Sequence, residues 1–192
     1  MVKVGFIVEG TSDFIIIKSE RFQHFLYHVL SLQSSEEEII KAGCKSNIKV
    51  NFKNYVNKLN KSVDYIFIMV DQDDKEEQKR NKKYKPLDCP IIVVDEIVNY
   101  RDNSHYVKSN QIFIIMTREF EAWLLADSHL GYQFDGLPES ILNPSEIIQK
   151  QEKTSNHVII ARRVEKNFSL NRAAENAPSA KRFLNKLKEI SQ

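Results

Sequence analysis

Two short, strongly apolar runs constrain this chain more than anything else: Val2–Val8, stopped by Glu9-Gly10-Thr11-Ser12, and Tyr65–Val70, stopped by Asp71-Gln72-Asp73-Asp74. Their β-branched and aromatic content reads as strand, and strands apolar along their whole length belong to a parallel sheet covered on both faces. Helical patterns lie between and after them. Phe14, Ile17, Phe22, Phe25, Leu26 and Val29 predict a helix from Asp13 to about Leu32, capped by Thr11 or Ser12. Phe52, Tyr55, Val56 and Leu59 predict a second at i, i+3, i+4, i+7. Ile48–Val50, Pro90–Val94 and Gln111–Met116 read as further strands, Arg118–Asp127 as a helix, and Ser179–Ile190 as a basic terminal helix with Phe183, Leu184 and Leu187 on one face. Strands alternating with helices predict an α/β fold with a mostly parallel central sheet and helices on both faces. The expected organisation is an α/β domain over residues 1–127 with a mostly helical extension, residues 128–192, packed on it.

Charge narrows the function classes. A net charge of +2 in 192 residues excludes a histone-like polycation, yet residues 45–85 carry a local excess of +5 and residues 162–188 of +6. Such runs are solvated faces by default and polyanion-facing surfaces otherwise. Cys44 and Cys89 cannot form a disulfide framework, and no Cys/His cluster has zinc spacing; only His24 and His28, four apart on the first helix, make a geometric metal pair. The N-terminus opens straight into a strand and no apolar run reaches membrane length, so the sequence reads as a cytosolic protein with reduced thiols.

In open parallel sheets ligands sit beyond the carboxyl ends of the strands, which directs attention to Glu9 and Asp71. Carboxylates converging there repel one another unless a cation neutralises them, and oxygen donors without His or Cys suit Mg²⁺ or Mn²⁺. Asp71 and Asp73 share one side of an extended segment, Asp74 follows, and Asp13 lies four residues after Glu9 across the turn into the helix. The competing reading is a solvated turn at residues 71–74 and a simple strand-to-helix turn at Glu9.

These residues carry a resemblance. Phe6-Ile7-Val8-Glu9-Gly10-Thr11-Ser12-Asp13 and Ile66-Phe67-Ile68-Met69-Val70-Asp71-Gln72-Asp73, about 60 residues apart, resemble the Glu-Gly and Asp-x-Asp strand ends of the TOPRIM (Rossmann-like) domain of topoisomerases, primases and OLD-family nucleases. Arg118 to Asp127, which includes EFEAWLLAD, and Ala177-Pro178-Ser179-Ala180-Lys181-Arg182-Phe183-Leu184 look like segments of a small bacterial TOPRIM-like family. The resemblance implies metal binding by Glu9, Asp71 and Asp73, with Glu9 as ligand or general acid/base. It implies a place for Asp13 at the position where OLD-like relatives hold a second metal, and a site role for Glu121. It also implies association with ABC- or AAA-type ATPases and with phage defence. Glu119 and Glu121 lie about 200° apart on a helix, so both reach one site only if the helix begins near Phe120.

The expected activity is Mg²⁺- or Mn²⁺-dependent phosphodiester hydrolysis of nucleic acid, catalysed through Glu9, Asp71 and Asp73. Lys79, Arg80, Lys82 and Lys83 beyond the acidic loop, with Arg162, Arg163, Lys181 and Arg182 near the end, are the candidate phosphate contacts, and Tyr84 interleaves with the first group. The alternatives are a non-catalytic or partner-activated TOPRIM module, and a phosphoryl-accepting pocket. The latter lacks its lysine, because Gln111–Met116 runs into Thr117-Arg118.

Overall fold

The computed structural model of the protein describes residues 1–72 and 90–191. Its centre is a five-stranded sheet in which every registered pairing among the described residues is parallel. The first strand, β1 (Val2–Val8), lies between β4 (Tyr65–Asp71) on one side and two short strands, β2 (Leu32–Gln33) and β3 (Ile39–Lys41), on the other. Leu32 is level with Val2 and Ile39 with Phe6, so β2 and β3 flank opposite ends of one edge. Strand β5 (Gln111–Met116) pairs with β4 and closes the order.

Strand periodicity sends alternate side chains to opposite faces, and both faces are covered. Val4, Phe6, Val8, Phe67 and Met69 point into one apolar cluster; Ile7, Ile66, Ile68 and Val70 point into another. Helices α3 (Lys45–Leu59) and α4 (Pro90–Val98) cover the second face with Ile48, Phe52, Val56, Val93 and Ile97. The first face is covered by α1 (Thr11–Lys18), α2 (Glu20–His24), α5 (Glu121–Ala126) and four helices of the C-terminal third. These are α6 (Pro144–Glu152), α7 (His157–Val164), α8 (Leu170–Asn176) and α9 (Pro178–Ile190). Phe183 of α9 lies against Phe6, Phe22, Phe67 and Trp123 with ring centroids 5.4–6.4 Å apart. Residues beyond 127 therefore share the core of the sheet.

Three expected elements differ. Pro90–Val94 lies in helix α4: Val93 and Ile97 are buried one turn apart while Ile91 and Ile92 face solvent. Ile48–Val50 lies within α3, with Ile48 buried and Val50 exposed. Short apolar runs carry too few residues for periodicity to separate strand from helix. The long helix from Asp13 to Leu32 is broken. Ser19 leaves helical geometry at ψ 147°, accepts a hydrogen bond from the Phe22 N–H and starts α2, which runs into a π-helical turn, Phe25–Val29. Neither Thr11 nor Ser12 caps α1; Gly10 holds that position, and Asp13 reaches back to accept its N–H. Among the described residues no helix is long and apolar enough to cross a membrane.

Candidate functional site at the carboxyl ends of the strands

Parallel pairing brings the ends of β1 and β4 side by side, and one carboxylate ties them. Glu9 accepts the Asp71 N–H at 3.1 Å through Oε2 and the Lys45 N–H, at the start of α3, at 3.0 Å through Oε1. Asp71 ends β4 and accepts the Phe120 N–H at 3.0 Å through Oδ1. Asp13 is buried, with Oδ2 on the Gly10 N–H and Oδ1 on the Phe14 N–H, both at 3.0 Å. These backbone contacts fix the orientation of each carboxylate.

The segment after β5 completes the cluster. Arg118 is buried with φ +71°, a left-handed conformation that costs a non-glycine residue about 1–2 kcal/mol. Beyond this turn Phe120 precedes α5, whose first residue is Glu121. The helix thus begins where Glu119 and Glu121 can both turn inward, and both are buried. Glu119 accepts the Ser145 N–H of α6 at 3.2 Å. Glu121 Oε1 takes the Ser12 hydroxyl at 2.8 Å and lies 3.3 Å from His157 Nδ1 of α7.

The electrostatics reflect this crowding. Burial first, and then the charges of Glu9, Asp13, Glu121 and Glu119, push the Asp71 carboxyl well above its ordinary range. Burial likewise raises Asp13 to about 7, with Glu121 and Glu9 adding to it and the two backbone bonds opposing it. Glu121 goes the other way. Its burial favours the neutral acid, but the hydrogen bonds from His157 and Ser12 outweigh that and hold it below the usual value. The setting thus favours the protonated acid at Asp71 and Asp13 and the carboxylate at Glu121.

Of the residues expected from sequence, Glu9, Asp13, Asp71 and Glu121 converge here, joined by Glu119. Asp73, Asp74, Lys79, Arg80, Lys82, Lys83 and Tyr84 lie outside the described residues. Among the described residues no three His, Cys, Asp or Glu side chains are gathered closely enough to hold a metal ion. The basic candidates stand apart from the carboxylates. Arg162 pairs with Glu165 at 3.0 Å, Arg163 with Glu152 at 2.7 Å, and Lys181 and Arg182 lie exposed on α9. His24, the last residue of α2, and His28, in the π-helical turn after it, have ring centroids 4.2 Å apart. Ser12, His157 and the Phe120 N–H are partners that sequence reasoning missed. His157 stands 36 residues from Glu121, and no local pattern joins them.

No curated protein and no solved structure matches the chain. Residues 8–188, from the last residue of β1 into α9, match the family described as Domain of unknown function (DUF4276), and the chain belongs to that family.

Proposed function

We propose that the protein is a metal-dependent phosphodiesterase acting on nucleic acid, with a TOPRIM-like arrangement of its sheet and acidic strand ends. The observation that carries this reading is the gathering of half-buried Glu9 and Asp71 with buried Asp13, Glu119 and Glu121 at the carboxyl ends of parallel strands, with Asp71 and Asp13 held above the usual carboxylate range. Carboxylate oxygens are the donors a hard divalent cation takes, although among the described residues no three of them gather closely enough to hold one. Asp71 and Glu9 would hold it; Asp73, expected as a further ligand from the sequence, lies outside the described residues. Bound Mg²⁺ or Mn²⁺ would supply charge neutralisation at a non-bridging phosphate oxygen and an acidified water.

The remaining chemistry belongs to the chain. The Phe120 N–H and the Glu9 bridge fix Asp71 in one orientation. Glu9, oriented by its bonds to the Lys45 and Asp71 N–H groups, would take the proton of the attacking water. Glu121, given a site role from the sequence, is joined to Ser12 and His157 and so also positions α1 and α7.

The test is cleavage of plasmid, single-stranded DNA and tRNA with Mg²⁺, Mn²⁺ or EDTA, comparing wild type with Glu9→Gln and Asp71→Asn. Cleavage that disappears in EDTA and in both variants is the expected result. Cleavage that persists in both would sink the assignment. One observation favours a second reading, a non-catalytic module: both oxygens of Glu9 and of Asp13 already clamp backbone N–H groups. Calorimetry separates the two, because a purely structural clamp binds neither Mg²⁺ nor Mn²⁺. An ATPase partner and a role in phage defence remain part of this proposal; the apolar face of α9 that would dock such a partner is turned inward, with Phe183, Leu184 and Leu187 buried.

A further inference from the structure

A groove of about 980 Å³ opens between the α1–α2 segment and the α7–α8 segment. None of the clustered carboxylates lines it. Its walls combine the half-buried rings of Phe14, with Lys18 5.8 Å over its face, and Phe25 with the cations Lys18, Arg21, Arg162 and Lys166 and the carboxylates Glu20, Glu36 and Glu165. Lys18 is held by Glu36 at 2.8 Å and Arg162 by Glu165. Arg21 gives its Nε to the Phe168 carbonyl, and among the described residues neither Arg21 nor Lys166 is paired with a carboxylate. The groove therefore offers two cations to an anion, beside aromatic rings.

Its walls also lead to the carboxylates. Helix α1 begins at the cluster, with Ser12 on Glu121 and Asp13 beside it, and ends in the groove at Lys18, about 9 Å further along its axis. Helix α7 does the same, from His157 on Glu121 to Arg162, about 7.5 Å along. The two helices pack against each other, so the groove and the cluster lie along one helix pair.

We propose that this groove takes single-stranded nucleic acid, with bases against Phe14 and Phe25 and phosphates on Arg21 and Lys166, and leads the strand to the carboxylates. The inference rests on the phosphodiesterase reading and names its substrate class. Stacking needs bases whose faces are free, which a duplex withholds, and it tolerates any sequence. An acidic peptide would satisfy the cations but leave the rings without a planar partner.

The experiment is fluorescence anisotropy in EDTA with a labelled oligonucleotide of about ten residues, single-stranded or annealed. The variants are Phe14→Leu, which keeps an apolar side chain but removes the ring, and Lys166→Glu on the surface. Lys61→Glu, exposed and outside the groove, is the charge-matched control. Single strand should bind in preference to duplex, with Phe14→Leu and Lys166→Glu each weakening it by about tenfold and Lys61→Glu leaving it unchanged. Two phosphate contacts set a slope of log affinity against log salt of about −1.4. Equal binding by wild type and both groove variants, preference for duplex, or equal competition by an oligoglutamate peptide would each overturn the proposal. If the carboxylate variants abolish cleavage while the groove variants bind normally, catalysis stands and the groove falls. Groove-dependent binding without cleavage under any metal supports the groove and removes the phosphodiesterase reading instead.

Discussion

Asp71 and Asp13 are carboxyl groups that folding carries out of water and toward other carboxyl groups, an arrangement that favours the protonated acid. Asp13 moves from an ordinary value of 3.8 to about 7, so between those values the folded chain keeps a proton that the unfolded chain releases. Its stabilising effect is complete at the acid end and is lost as pH rises toward 7, at up to about 1.4 kcal/mol per pH unit. Urea unfolding of the metal-free protein at about pH 5 and pH 7.5 should therefore show a steeper loss for wild type than for Asp13→Asn. Parallel pH dependences in the two proteins would refute that assignment. Asp71→Asn provides the complementary case. Its amide oxygen can still accept the Phe120 N–H, and the variant removes the ionisable group whose charged form the neighbouring carboxylates oppose, so the metal-free protein should gain about 1–2 kcal/mol while cleavage is lost. A loss of stability would mark Asp71 as a structural clamp. Glu9 and Asp71 were legible because each ends an apolar strand. His157 was not, because its role is set by where α7 packs.

At the scale of elements, local signals competed with tertiary ones. The apolar run at Pro90–Val94 has strand composition, but Val93 and the half-buried Val94 within it and Ile97 beyond it pack on the sheet, and those i+3 and i+4 spacings to Ile97 are helical. Ser19 breaks the first helical pattern because its hydroxyl offers the backbone a new cap, accepting from Phe22 N–H while donating to the Ile16 carbonyl. Where a local signal is weak, substitution can improve it. Lys153 terminates α6 in the left-handed region at φ +54° and is exposed, with the Thr154 N–H bonded back to the Gln149 carbonyl. Lys153→Gly should stabilise the protein by about 1 kcal/mol, because glycine adopts that conformation without strain. Thermal unfolding measures it, and an unchanged or lower melting temperature would count against the cap assignment.

For the whole molecule, the decisive feature is that the C-terminal helices complete the same core that the sheet begins. Phe183, on the last helix, stacks among rings from β1, α2, β4 and α5. Phe183→Ala should cost about 3–5 kcal/mol and lower a single unfolding transition followed by Trp123 fluorescence and by far-UV circular dichroism. Two separated transitions would mean that residues 1–127 and 128–192 fold independently. Asp127 strengthens the same connection. Fully buried, it accepts Arg172 of α8 at 2.6 and 2.9 Å and the Ser169 N–H at 2.7 Å, closing the end of α5 onto the following helices.

By itself the sequence determined the alternation of strand and helix, the parallel character of the sheet and the two acidic strand ends. Those properties follow from hydrophobic runs and their punctuation, which are local. The tertiary structure decided the partners: Ser12 and His157 on Glu121, Glu9 bridging β1, β4 and α3, and α9 seated on the sheet. Each of these joins residues dozens of positions apart, and burial and hydrogen-bond satisfaction choose such partners only once the chain has closed around one core.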